Sequence, residues 1–251
     1  KEMSRIVTDM QKQMGPAGGF DMQPPMPPMN AAPTEKKAPV RVNRSLIGKL
    51  QEAAKRNDID AVRTQLESGV DVNEKDGHDM VALEWASKLG HLDLVHLLLE
   101  HKAQIDPVDE ESGSAVLAAA SGGHLDVLQT LLAAKGDIHV KDSIIGHSAL
   151  HRACAGGRGV VVDFLLTESP GLLTQLDSRG YSPLAVACSK GHADIMNKLL
   201  TAKADITLVS NLGPGPLALA VKGSHTEVVK HLLDTATAQG QANKVVDARV
   251  V

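Results

Sequence analysis

The chain has 251 residues, 43% of them hydrophobic but only 2% aromatic, and a formal net charge of −4. Residues 1–43 hold six Lys/Arg against four Asp/Glu, so the remainder carries −6; neither part offers the cationic footprint or the base-stacking aromatics of a nucleic-acid binder. No apolar run approaches the length of a membrane-spanning helix, and two cysteines suit a reducing compartment better than a disulfide framework.

The opening residues, KEMSRIVTDMQKQM, predict a short amphipathic helix over about 2–14. Met3, Ile6, Val7, Met10 and Met14 share one face, with charged and amide residues on the other. That face has no partner within the segment, and two readings stay open. It is the frayed end of a longer element, or a Met-faced helix that docks on another protein. Residues 15–40 are rich in Pro, Gly and Met and read as a linker unable to build a core. Residues 1–43 are thus expected to form an extended N-terminal tail. Because the chain opens on Lys1, it reads as a fragment or a processed product.

From Arg44 onward one pattern recurs. A small residue followed by His or Arg stands at Gly90-His91, Gly123-His124, Gly157-Arg158, Gly191-His192 and Ser224-His225, at intervals of 33, 34, 34 and 33 residues. A degenerate copy lies one period upstream at Asn57-Asp58. A fixed period near 33 marks a solenoid of stacked units, here residues 44–76, 77–109, 110–143, 144–177, 178–210 and 211–244, followed by an apolar tail at 245–251. In the fifth unit Ser182-Pro183 opens a helix, with Pro where an N–H would lack an intrahelical partner. Leu184, Ala187 and Cys188 fall on one face of it. Gly191 ends that helix, and Ile195, Met196, Leu199 and Leu200 stripe a second. No helix pair buries its own apolar face, so stacking must complete the core.

The first unit, with charged Lys49, Glu52, Lys55 and Arg56, reads as the N-terminal end cap. The second carries Trp85 where other units have Ala118, Arg152, Val186 and Leu219; packing between repeats is the favoured role, ahead of a partner anchor. The third opens on a solvated acidic tip, Asp109-Glu110-Glu111, and its small-residue helix from Val116 to Ser121 suits close stacking. The fourth holds an extra residue, placed near Ser169-Pro170-Gly171, expected to lengthen a loop without disturbing the stack. The same unit offers Ile144-Ile145 at its tip, an apolar pair better suited to binding than to stability. The sixth has Gly213-Pro214-Gly215-Pro216 at its turn, and the tail from Val245 to Val251 is expected to fold back over the last helix unless further repeats follow.

These residues resemble the ankyrin repeat. The family core D-x-x-G-x-T-P-L-H-x-A, followed by G-H and L-L pairs, is matched in the fifth unit by Asp177, Gly180, Ser182, Pro183, Leu184, Ala187, Gly191, His192, Leu199 and Leu200. The fourth unit keeps Gly146, Ser148, Leu150, His151 and Ala153, and the first keeps the exit Gly69-Val70-Asp71-Val72-Asn73. The resemblance covers about residues 44–240. It implies an all-α repeat solenoid of stacked helix-turn-helix units with short β-hairpin or loop tips.

Near misses for catalysis are few. Cys154 and Cys188 occupy equivalent positions in adjacent units and read as buried, inert thiols. His91, His124, His192, His225 and His151 resemble the family's structural histidines, which bond backbone around turns and between neighbours. His96 and Glu100 share a helical face, but a third ligand is missing there and His101 points away. No phosphate loop, H-E-x-x-H pair or G-x-S-x-G turn occurs. The chain is therefore expected to be no enzyme, with no cofactor, metal, small-molecule substrate or nucleic acid, in a reducing intracellular compartment, most simply the cytoplasm.

A scaffold or adaptor that binds a partner protein is the leading reading. The resemblance implies that contacts lie on a concave face of hairpin tips and first helices: Ser178, Arg179, Tyr181, Ser189 and Lys190 in the clearest unit, with Ile144, Ile145, His147, Gly77, His78, Met80, Lys88, Leu89, Asn211, Leu212, Pro214 and Lys222 from its neighbours. Arg179 and Tyr181 are the preferred hot spots, given the interface weight of those residue types. Two other readings compete. One is a structural subunit of a multiprotein assembly docked through the N-terminal tail; the other is a chaperone-like carrier of apolar segments.

Overall fold

A computed structural model describes residues 49–106, 113–208 and 214–247. The tail positions Met3, Ile6, Val7, Met10 and Met14, the acidic 109–111 tip, and Asn211 and Leu212 lie outside the described residues. Helices come in pairs: α1 (Lys49–Lys55) with α2 (Ile59–Glu67), α3 (Ala82–Leu89) with α4 (Leu92–Glu100), and α5 (Ala115–Gly122) with α6 (Leu125–Ala133). Then follow α7 (Ala149–Gly156) with α8 (Gly159–Glu168), α9 (Pro183–Lys190) with α10 (Ala193–Thr201), and α11 (Pro216–Lys222) with α12 (Thr226–Ala238). A last helix, α13 (Ala242–Asp247), follows α12 and contacts it; residues 248–251 of the expected apolar tail lie outside the described residues. First helices pack on first helices in one row, and second helices on second helices in another.

Side-chain size explains the closeness of the first row. In α5 every residue from Ala115 to Ala120 is buried, and none is larger than Leu117. The larger Leu94, Leu98, Leu128, Leu131, Leu165, Ile195 and Leu199 of the second row, all fully buried, fill the space between the rows. Cys154 and Cys188 are free and buried in the first row, and burial pushes the Cys188 thiol up to about 12 and the Cys154 thiol higher still. They act there as small apolar side chains.

Each first helix from α3 to α9 stops at a left-handed glycine, Gly90, Gly123, Gly157 or Gly191. The outer copies use Asn57 and Ser224 at φ 56° and 57° instead. A second requirement falls on these glycines: a Cβ on Gly90 would lie 2.4 Å from the His124 ring, and one on Gly191 2.5 Å from the His225 ring. Second helices close on left-handed Lys102, Lys135 and Lys203. The fourth copy differs. There the connection after α8, where the extra residue was expected, forms a 3₁₀ turn, Pro170–Thr174, whose Leu172 is fully buried.

The tips are turns centred on aspartate. Strand pairing among the described residues is reduced to one bridge, Lys141 with Ser148. The Asp76 carboxylate accepts from the backbone N–H of His78 at 2.8 Å and of Met80 at 3.1 Å. Asp142 accepts from Ile145 at 2.7 Å and His147 at 3.0 Å, and Asp177 from Arg179 at 2.9 Å and Tyr181 at 2.8 Å. Burial works to raise the Asp177 pKa, but these N–H donors and the Arg179 guanidinium together hold it below the usual carboxylate range.

Candidate partner-binding groove

The repeated histidines are joints, as the pattern suggested. Nε2 of His124 lies 3.1 Å from the Lys88 carbonyl, that of His192 3.3 Å from Ala155, and that of His225 3.0 Å from Ser189. Each ring thus reaches back to the end of the preceding repeat's first helix. Arg158, which replaces histidine in the fourth copy, does the same by donating Nε–H to the Ser121 carbonyl at 3.0 Å. His91 departs from the expectation: its Nε2 is buried with no hydrogen-bond partner. His151 joins repeats by a different route. The Ser148 N–H donates to its Nδ1 at 3.3 Å, which places the proton on Nε2 for donation to the Tyr181 carbonyl at 3.0 Å. Burial lowers the His151 pKa to about 4, so the ring is neutral.

With the joints accounted for, one groove remains on the tip and first-helix side of the later repeats. It encloses about 650 Å³. It brings together Ile145, His147, Arg179, Tyr181, Ser189, Lys190 and Lys222, seven of the expected contact residues. Arg152, Val186 and Leu219, not singled out from sequence, also line it. Arg152 and the latter two are the counterparts of Trp85, so the repeat position itself was the signal that could have found them.

The groove rim is electrostatically ordered. Arg179 pairs with Asp177 at 3.2 Å while its guanidinium lies 4.8 Å from the centre of the Tyr181 ring. The Asp177 side chain is fully buried, whereas the Arg179 side chain is 51% exposed, so the cation faces outward. His147 sits 3.3 Å from Asp177 and stacks on His151 with ring centres 5.3 Å apart. Burial first, and the Arg152 charge second, lower its pKa. Arg152 pairs with Asp142 at 3.1 Å.

A smaller cleft of about 150 Å³ in the earlier repeats includes the expected Met80 and Lys88. Beside it Glu84 is largely buried, with Oε2 lacking a hydrogen-bond partner, and burial pushes its pKa up to about 7 against the pull of Lys88. Trp85 lies outside the apolar core cluster but bridges its repeat to the preceding one, the packing role expected for it. Its indole N–H needs an acceptor and finds Asp76 Oδ2 at 2.9 Å, and the ammonium groups of Lys55 and Lys88 lie 4.3 and 5.1 Å from its ring centre.

The other expected residues lie apart from both clefts. Ser178 is exposed, its N–H donating to the Ile145 carbonyl at 2.9 Å. Ile144 is 87% exposed at its tip, so the Ile144-Ile145 pair divides, with only Ile145 turned to the groove. Gly77, His78 and Leu89 are exposed, and Pro214 is half-buried. Among the described residues no three His, Cys, Asp or Glu side chains come together as a metal site. No described helix is long and apolar enough to cross a membrane.

A family model described as ankyrin repeats in three copies matches residues 50–142 and 116–210, which together exceed half of the chain. No curated protein sequence matches significantly. Among solved structures, a chain of the complex of the Bd0816 predatory endopeptidase from Bdellovibrio bacteriovorus with immunity protein Bd3460 superposes with a TM-score of 0.63 at 23% identity, over 74% of this chain and 96% of that one. The human ASB11 ankyrin repeat domain superposes at 0.60 with 25% identity, over 74% of this chain and 82% of that one.

Proposed function

The chain belongs to the ankyrin repeat family, whose repeats generally serve protein–protein interaction, and on that premise we propose that it is a non-enzymatic scaffold or adaptor holding a partner protein in the groove of its later repeats. The observation that carries this reading is the rim itself: the chain's single tyrosine, half-buried, with an outward-facing arginine over its ring. Aromatic and arginine side chains fixed before binding lose little entropy on contact and supply most of the energy of an interface. The donors to Asp177 from positions 179 and 181 are backbone N–H groups, which Arg179→Ala and Tyr181→Ala both retain, so the turn is expected to hold in the test variant.

The test is capture of endogenous partners by the full chain, identified by mass spectrometry and then titrated. Replacing Arg179 and Tyr181 together by Ala is expected to weaken the partner about tenfold or more, on the order of 1.4 kcal/mol, with the far-UV spectrum unchanged. An unaltered affinity refutes the groove reading. Deleting residues 1–40 in parallel separates it from tail docking, because a groove-bound partner stays.

A further inference from the structure

We propose that the groove selects an acidic, extended segment of its partner, whose carboxylates meet Arg179, Lys190 and Lys222 and whose apolar side chain rests on Tyr181, Val186 and Leu219; this names the partner chemistry of the site just described and rests on that reading. The first argument is segregation of charge. The repeat region carries −6, yet the groove lining contains Arg152, Arg179, Lys190 and Lys222 and not one Asp or Glu. A surface drawn at random from an acidic domain would not have that composition.

The second argument is which of these cations are already answered. Arg152 has Asp142 and Arg179 has Asp177, each within hydrogen-bond distance. Lys190 and Lys222 have no acidic partner among the described residues. Both close first helices, α9 and α11, where a cation is favoured by the helix dipole. That accounts for each lysine singly, but Lys88 closes α3 in the same way and there shares its cleft with Glu84 and Asp142. The dipole therefore does not explain why the later groove lacks carboxylates. His147, kept neutral by burial, adds no charge of its own.

The third argument is the floor. Val186 and Leu219 are 3% and 7% exposed, so they offer apolar contact without being a loose hydrophobic patch. A cationic rim around a shallow apolar floor fits alternating acidic and apolar side chains on an extended chain.

The experiment selects displayed random peptides of about 12 residues on the full chain and then measures the best binders by fluorescence anisotropy. Enrichment of Asp and Glu is expected, with affinity falling about tenfold between roughly 50 and 300 mM salt and about tenfold or more in Lys190→Glu/Lys222→Glu. Far-UV spectra check that both charge-reversed side chains, exposed in the native chain, leave the fold intact. Neutral binders that sense Arg179→Ala/Tyr181→Ala but ignore the charge reversal would overturn the acidic-segment proposal and leave the groove reading standing. Binders that ignore both double variants would overturn both. Retention on phosphatidylserine vesicles or single-stranded DNA without any acidic peptide binding would assign the cations to another polyanion and overturn the proposal.

Discussion

Trp85 and Tyr181, the only tryptophan and tyrosine of the chain, lie in similar company and end in opposite states. Each stands beside a loop aspartate and beneath a cation. Around Trp85 the set is closed: Lys55 lies over the ring while bonded to Glu52 at 2.9 Å and 3.5 Å from Asp76, and Asp76 also holds the indole N–H. Around Tyr181 the set is open, because Asp177 is buried beneath an arginine that still faces outward and the nearby lysines have no carboxylate partner among the described residues. The same repeat chemistry thus serves cohesion early in the stack and presentation late in it. What decides between them is where the neighbouring carboxylates fall.

Acid should act first and most strongly on the late region. His151 titrates near 6.5 when unfolded and at about 4 when folded. Its contribution is complete above the unfolded value and is lost as pH falls from about 6.5 to about 4, on the order of 3 kcal/mol. His147 is shifted in the same direction and adds to the loss. Asp76 and Asp177, with lowered pKa values, begin to lose their contribution only as pH falls through the ordinary value of 3.8, at the lower edge of this window. Urea titrations at pH 7 and at pH 4.5 should show the decline, flattened in His151→Gln; an unchanged slope in that variant would assign the acid sensitivity elsewhere.

The early region should respond with the opposite sign. Glu84 holds its proton to about pH 7 in the fold but only to about 4.5 when unfolded, so stability is lost as pH rises between those values. Glu84→Gln removes the penalty. It is expected to gain up to about 3 kcal/mol at pH 8 and nothing at pH 4, read by the fluorescence of Trp85. The smallest effects compare the two aromatics directly. Trp85→Phe loses the bond to Asp76 and should cost about 1 kcal/mol. Tyr181→Phe should change stability by less than about 0.5 kcal/mol, since its hydroxyl makes no hydrogen bond among the described residues. Equal costs in thermal melts would erase the contrast between a closed and an open site.

The period and its glycines made the fold legible, because the left-handed turn and the close approach of a ring both forbid a side chain at those positions. The loop residues Arg179 and Tyr181 were legible for the same reason: their register is set by Asp177. The polar partners of Trp85 were not legible, because its acceptor, Asp76, lies nine residues away and one of its cations, Lys55, thirty, so nothing local announces the closure. Arg152, Val186 and Leu219 were overlooked although they share the repeat position of Trp85, because their side chains differ in kind and only the structure shows that this position borders the groove.

The histidine and arginine joints also give the stack a grammar of before and after. Each ring or guanidinium belongs to a later repeat and reaches a carbonyl in an earlier one, from His124 to Lys88, Arg158 to Ser121, His192 to Ala155 and His225 to Ser189. As the polypeptide is made from its N-terminus, every acceptor is synthesised before its donor. Each joint closes only when the later repeat brings its ring or guanidinium back to a carbonyl made before it.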